Sequence, residues 1–175
     1  MNKPLIIGIV VLTIAAAVSL SGCTGSGKGT LVIKMTDAPA NDTISHVNIT
    51  ISTIQVHMSF GNDNNTTTGW LTVTNQAQTI DLISLNNATE LIASANLTVG
   101  LYTQIRLQVT ACTVTVNNAT YNATVPSDMI KLNHNWALKA NQTTTLTLDF
   151  NADKSLHQQG NGDWKLQPVI GITVE

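Results

Sequence analysis

Apolar and polar residues alternate along most of this chain with a period of two. The runs are cut by Asn, Gly, Asp and Pro, the signature of strands joined by turns. The first expected strand covers Thr30 to Thr36, turned by Asp37-Ala38-Pro39-Ala40. In Ile44 to Phe60, Val47, Ile49 and Ile51 hold one parity and Ile54, Val56 and Met58 the other. Successive side chains face opposite ways, so the switch at Ser52-Thr53 predicts a bulge or a corner. Gly61 to Gly69 reads as an exposed loop, and Trp70 to Thr74 and Thr79 to Leu85 as strands. Asn86 to Asn96 is the best helix candidate, one short amphipathic segment.

A long strand is expected from Gly100, with Ile105, Leu107, Val109 and Ala111 on one face and Tyr102, Gln104, Arg106 and Gln108 on the other. Parity switches again at Cys112, which predicts a second bulge. Asn117-Asn118 makes a hairpin turn into Ala119 to Val125. Met129 to Leu132, Trp136 to Lys139 and Thr143 to Phe150 follow as strands, the last burying Leu146, Leu148 and Phe150. Asn151 to Gly162 is a polar excursion with one helical turn and a Gly-rich turn, and Trp164 to Val174 closes the domain, Pro168 marking an edge or bulge. About eight to ten strands and one short helix predict an all-β, two-sheet β-sandwich of Greek-key type.

The start of the chain follows a different rule. Met1-Asn2-Lys3 is basic, an apolar run extends from Pro4 to Val18, and Leu20-Ser21-Gly22-Cys23 follows. That order reads as an export signal. The run is shorter than the roughly 20 apolar residues that span a bilayer, and no charged stop follows it. Leu20-Ser21-Gly22-Cys23 looks like a lipobox, in which cleavage before Cys23 leaves its thiol to carry a lipid. An uncleaved N-terminal membrane anchor is the alternative. Either places the body of the protein outside the cell. The expected organisation is a signal peptide at 1–22, the lipidated cysteine and a flexible tether at 23–29, and one domain at 30–175.

Composition narrows the partners. Charged residues make up 10% of the chain, far below the usual quarter, so uncharged polar groups keep the surface soluble and sugar or water, not ion pairs, must cover it. A net charge of -2 offers no basic field for nucleic acid. Asn-x-Thr sequons occur at Asn41, Asn48, Asn64, Asn65, Asn87, Asn96, Asn118, Asn122 and Asn141. A chain this rich in Asn and Thr makes about four by chance, so the set is enriched roughly twofold and points to a glycosylated surface protein.

Candidate chemistry is sparse. Gly25-Ser26-Gly27-Lys28-Gly29-Thr30 resembles a phosphate loop, but Leu31-Val32-Ile33-Lys34-Met35 behind it reads as a strand where such a loop needs a helix. Cys112 has no local base or cation to activate it and reads as a small buried hydrophobe. Arg106 is the one arginine. Grouped with Tyr102 and Asp149 it forms a candidate polar cluster, either a ligand site for a sugar or carboxylate or a structural pair with Asp149 or Asp81. His46, His57, His134 and His157 lack ligand spacing, and Asp37, Asp42, Asp149 and Asp153 form no contiguous calcium loop, so no metal and no cofactor is expected. No nucleophile elbow or zinc-protease motif occurs, and Glu90 and Glu175 are the only glutamates. Trp70, Trp136 and Trp164 lie near turns, where they either stack on sugar or plug the sandwich ends.

Several stretches together resemble domain-of-unknown-function family 4382 of exported bacterial and archaeal proteins. They are Thr36-Asp37-Ala38-Pro39, Gly69-Trp70, Ile80-Asp81-Leu82, Gly100 to Leu107, Thr145 to Phe150 through Lys154-Ser155, and Leu166-Gln167-Pro168-Val169. The resemblance implies a β-sandwich similar to prealbumin-like or carbohydrate-binding-like modules, and the family has no activity to lend. The expectation is therefore a non-enzymatic envelope or assembly component on the outer face of the cell membrane, anchored by lipid and contacting envelope proteins or itself. The alternative is a solute- or glycan-binding surface module, and an exported hydrolase ranks last.

Overall fold

In the computed structural model, which describes residues 27–37, 43–61 and 69–175, the chain is an all-β sandwich of two sheets that do not close into a barrel. Its elements are β1 (Lys28–Asp37), β2 (Ile44–Gly61), β3 (Gly69–Thr74), β4 (Gln78–Asp81), a 3-10 turn (Leu82–Leu85), β5 (Glu90–Thr98), β6 (Gly100–Val116), β7 (Ala119–Thr124), β8 (Met129–Leu138), β9 (Thr143–Phe150), α1 (Ala152–Ser155), β10 (Leu156–Gln158), β11 (Trp164–Leu166) and β12 (Ile170–Val174). One sheet has four strands in the order β12-β9-β1-β5. The other has eight, in the order β10-β11-β7-β6-β2-β3, with β4 paired to β2 and β8 to β6.

The core fills the space between the sheets. Leu31, Ile33 and Met35 of β1, Leu146, Leu148 and Phe150 of β9, and Val47, Ile49, Ile54 and Val56 of β2 are fully buried there. The parity switch in β2 is real. The β2–β6 register slips on both sides of Ile51, so Val47, Ile49 and Ile51 point inward before it and Ile54, Val56 and Met58 after it. In β6 the inward set changes from Val109 to Cys112, leaving Ala111 exposed, and Val109 N–H bonds Asp128 O at 2.7 Å from outside the ladder. Asn117 and Asn118 both adopt positive φ, 48° and 64°, which gives the β6–β7 hairpin the twist its strands need.

Three expectations are corrected. Residues 90–98 form β5 and not a helix, because β1 needs an antiparallel partner on its second side. A bulge opposite Ile33 and Lys34 turns both Ile92 and Ala93 inward, which mimics the adjacent apolar pair of a helix, while Leu91 stays 58% exposed. The segment expected to run as a strand to Leu85 leaves the sheet after Asp81, whose Oδ1 accepts Ile83 N–H at 3.2 Å and caps the 3-10 turn. The two strands expected within 129–139 are one, β8, with an irregularity at His134 and Asn135 opposite Thr103. β1 itself begins at Lys28, which pairs with Thr98.

Candidate functional site

The predicted trio of Tyr102, Arg106 and Asp149 is not one cluster. Thr103 is an extra residue in β6, since Met58 pairs with Tyr102 while the adjacent His57 pairs with Gln104. This bulge rotates Tyr102 into the core, where it is 0% exposed, stacks on Trp136 at 5.5 Å, and donates its hydroxyl to Thr98 O at 2.6 Å. Asp149 is exposed on β9, opposite Thr36 and Gly171, with the core between it and Arg106.

Arg106 lies on the outer face of the eight-stranded sheet with other partners. The registers place Lys131, Arg106, Gln55 and Thr72 side by side across β8, β6, β2 and β3, with Asn133, Gln104, His57 and Trp70 in the adjacent row. Gln55 Nε2 donates to Thr72 Oγ1 at 3.0 Å, and Gln55 Oε1 accepts Arg106 Nε at 2.7 Å. The guanidinium carbon sits 3.9 Å from the centre of the Trp70 ring, a cation–π contact, and His57 meets the same indole edge-on at 5.2 Å. Neither Asp149 nor Asp81 pairs with it. Asp81 is engaged by His46 Nδ1 at 2.6 Å and by Val47 N–H at 3.0 Å.

A second polar cluster gathers residues that carry the family resemblance. Ser155 is fully buried in α1; its Oγ donates to Asn151 O at 2.6 Å and accepts Val169 N–H at 2.8 Å, and its carbonyl accepts Gln167 N–H at 2.7 Å. Asp37, at the end of β1, accepts Ala152 N–H at 2.9 Å. These groups satisfy the backbone where β9 leaves its sheet, so Asp37, Ser155 and Val169 act in the fold. Apart from the family resemblance, no motif singles out Ser155.

The remaining candidates are scattered. Trp136 is buried, whereas Trp70 and Trp164 stand on β3 and β11 with β2, β6 and β7 between them, so the three tryptophans share no sugar-stacking face. His134 and His157 lie on β8 and β10, Asp153 lies in the first turn of α1, and among the described residues no group of three or more His, Cys, Asp or Glu could hold a metal ion. A cleft of about 300 Å³ beside the β6 bulge holds one carboxylate, Asp128, and no partner for it. Of the sequons, Asn87, Asn96, Asn118, Asn122 and Asn141 are exposed and Asn48 is half-buried within β2, while Asn41, Asn64, Asn65, Asp42 and Cys23 lie outside the described residues. Among those residues no helix is long and apolar enough to cross a membrane.

Cys112 is buried, and desolvation pushes its thiol up to about 11 and the Tyr102 phenol up to about 12. Both groups stay protonated in the folded chain at pH values where the unfolded chain, with ordinary values of 9.0 and 10.0, releases its protons. The contribution of these two groups to stability is therefore present in full below about pH 9 and is lost as pH rises toward 12. Thermal melts across that window are expected to show a falling midpoint, and a Tyr102→Phe variant should lose less of it.

The four-stranded sheet has two edges of different character. β5 begins at Glu90, carries the exposed Asn96 sequon and is bulged. β12, Ile-Gly-Ile-Thr-Val, carries neither charge nor sequon, and among the described residues only β9 bonds it. Thr145 and Glu175 exchange both backbone hydrogen bonds, at 2.8 and 2.9 Å. Antiparallel pairing alternates, so Gly171 and Thr173 also bond inward, and the N–H and C=O groups of Ile170, Ile172 and Val174 point away from the sheet.

No curated protein and no solved structure matches the chain. Residues 28–168 match the family described as "Domain of unknown function (DUF4382)", almost the whole sandwich and most of the chain. The stretches that carried the resemblance fall in this region but for Val169, one residue beyond it, and the chain belongs to the DUF4382 family.

Proposed function

We propose that this protein is an exported, lipid-anchored and N-glycosylated surface module that works without catalysis, by lending a sheet edge to a partner strand. The observation that carries this reading is the β12 edge, whose outward row of backbone groups at Ile170, Ile172 and Val174 meets no other strand among the described residues and, between Pro168 and Glu175, carries no charge or sequon of its own. Natural proteins blunt exposed edges with charges, proline or bulges, as β5 does here, because an open edge templates pairing with another chain. Main-chain hydrogen bonds then supply affinity, and the flanking side chains supply selectivity.

The address rests on the N-terminal pattern ending at Cys23 and on five exposed sequons. If Cys23 carries the lipid, the five residue steps from it to Lys28 reach at most about 18 Å at roughly 3.5 Å each. That tether holds the sandwich end built from Val99 and Asn141, which meet Gly27 and Lys28 through backbone bonds, close to the membrane.

Cross-linking of intact cells, with mass spectrometry of everything joined to this protein, tests the reading. Reproducible links to one envelope protein or to a second copy are expected, and Thr173→Lys should abolish them, since it adds a charge to the edge and leaves the inward ladder intact. Links to random membrane neighbours alone, unchanged in Thr173→Lys, would sink the assembly role.

A further inference from the structure

The outer face of the eight-stranded sheet presents a cation that the fold holds in place and that no carboxylate of the described residues neutralises. Among the described residues Arg106 makes one side-chain hydrogen bond, from Nε to Gln55, and its guanidinium rests on Trp70. The terminal Nη donors are left over, pre-oriented because Gln55 is itself fixed by Thr72. A purely structural arginine in a chain of net charge -2 would be expected to meet a carboxylate. Instead its neighbour on β8 is Lys131, directly opposite in the register. Like charges facing each other across strands cost stability. An anion between them turns that cost into two charge-assisted hydrogen bonds.

We propose that this face binds the carboxylate group of an acidic saccharide, with Arg106 and Lys131 holding the carboxylate and the flanking amides of Gln104 and Asn133 meeting the sugar hydroxyls. The two amides lie one row along the same two strands, paired with each other, so charge and amide groups sit at the spacing of a single ring. A planar carboxylate matches the fork of the Nη groups. The surroundings are amide, hydroxyl and imidazole, which suits a hydroxyl-rich ligand better than an apolar peptide. The site is remote from β12, on the other sheet, so its failure leaves the edge reading untouched and the reverse holds too.

The test uses full-length protein in detergent, titrated with sodium glucuronate, glucose and sodium acetate at constant ionic strength, and followed by calorimetry and tryptophan emission. Glucuronate is expected to bind and to change emission through Trp70, with glucose silent and acetate clearly weaker. Arg106→Gln should weaken glucuronate by about tenfold or more, Arg106→Lys by an intermediate amount because it keeps charge and loses the fork, and Lys131→Ala by about threefold. Lys131 is exposed, so that variant keeps the proposal testable even if position 106 proves needed for folding. No response to glucuronate would overturn the proposal, as would an equal response to glucose or an unchanged Lys131→Ala. Acetate binding as tightly as glucuronate would overturn the saccharide assignment by reducing the site to a simple anion contact.

Discussion

Gly29→Val is expected to prevent stable folding, and Gly29→Ala to cost about 1–3 kcal/mol. A Cβ at position 29 would run into Lys139 O and would lie 2.9 Å from Leu138 Cγ and 3.2 Å from Gln142 O. Two of those atoms are backbone, so no rotamer change relieves the clash. The turn between β8 and β9 is pinned to β1 at this point by Asn141 N–H to Lys28 O and Thr30 N–H to Gln142 O, both at 2.9 Å. Moving the turn would break those bonds and disturb the parallel register of β1 with β9, on which the four-stranded sheet depends. Thermal melts should show a midpoint lower by about 2–10 °C for alanine and no cooperative transition for valine. A valine variant melting like the wild type would mean that the start of β1 is not packed as described.

Ser155→Ala is the second large effect, about 1–3 kcal/mol. The hydroxyl is fully buried between Asn151 O and Val169 N–H, so its removal leaves the Val169 N–H without its acceptor. The damage should be local first. Val169 N–H joins the segment leading into β12 to α1, and Asn151 N–H to Val169 O at 3.0 Å repeats the link. Urea unfolding is expected to give a lower midpoint with an unchanged slope, and hydrogen exchange should show early loss of protection at Val169. Unaltered exchange at Val169 would place the load elsewhere.

Much of this fold could be read from alternation alone. Strands with one buried face announce their register, and the switches in β2 and β6 announced their bulges, because Ile51 to Ile54 and Val109 to Cys112 break parity with apolar residues on both sides. The bulge at Thr103 stayed hidden. Tyr102 is amphipathic and fits an outer row as well as an inner one, so its rotation into the core left no trace in the pattern. The same ambiguity disguised β5, where a bulge made Ile92 and Ala93 look helical. Arg106 could be singled out as the lone arginine, but its partners Gln55 and Trp70 are 51 and 36 positions away and were set by strand order, which alternation does not encode. Gly29 was visible only as part of a misleading phosphate-loop pattern. Its true demand, a close approach by the β8–β9 turn, is a tertiary fact.

The role of the β12 edge is open to one direct measurement. A photo-cross-linking residue is placed at the exposed position 173 on β12 and, in a separate strain, at the exposed position 94 on β5, the opposite edge of the same sheet. Irradiation of intact cells is predicted to give a discrete adduct with one protein from position 173 and none from position 94. No adduct from position 173, or the same adducts from both positions, would contradict the account.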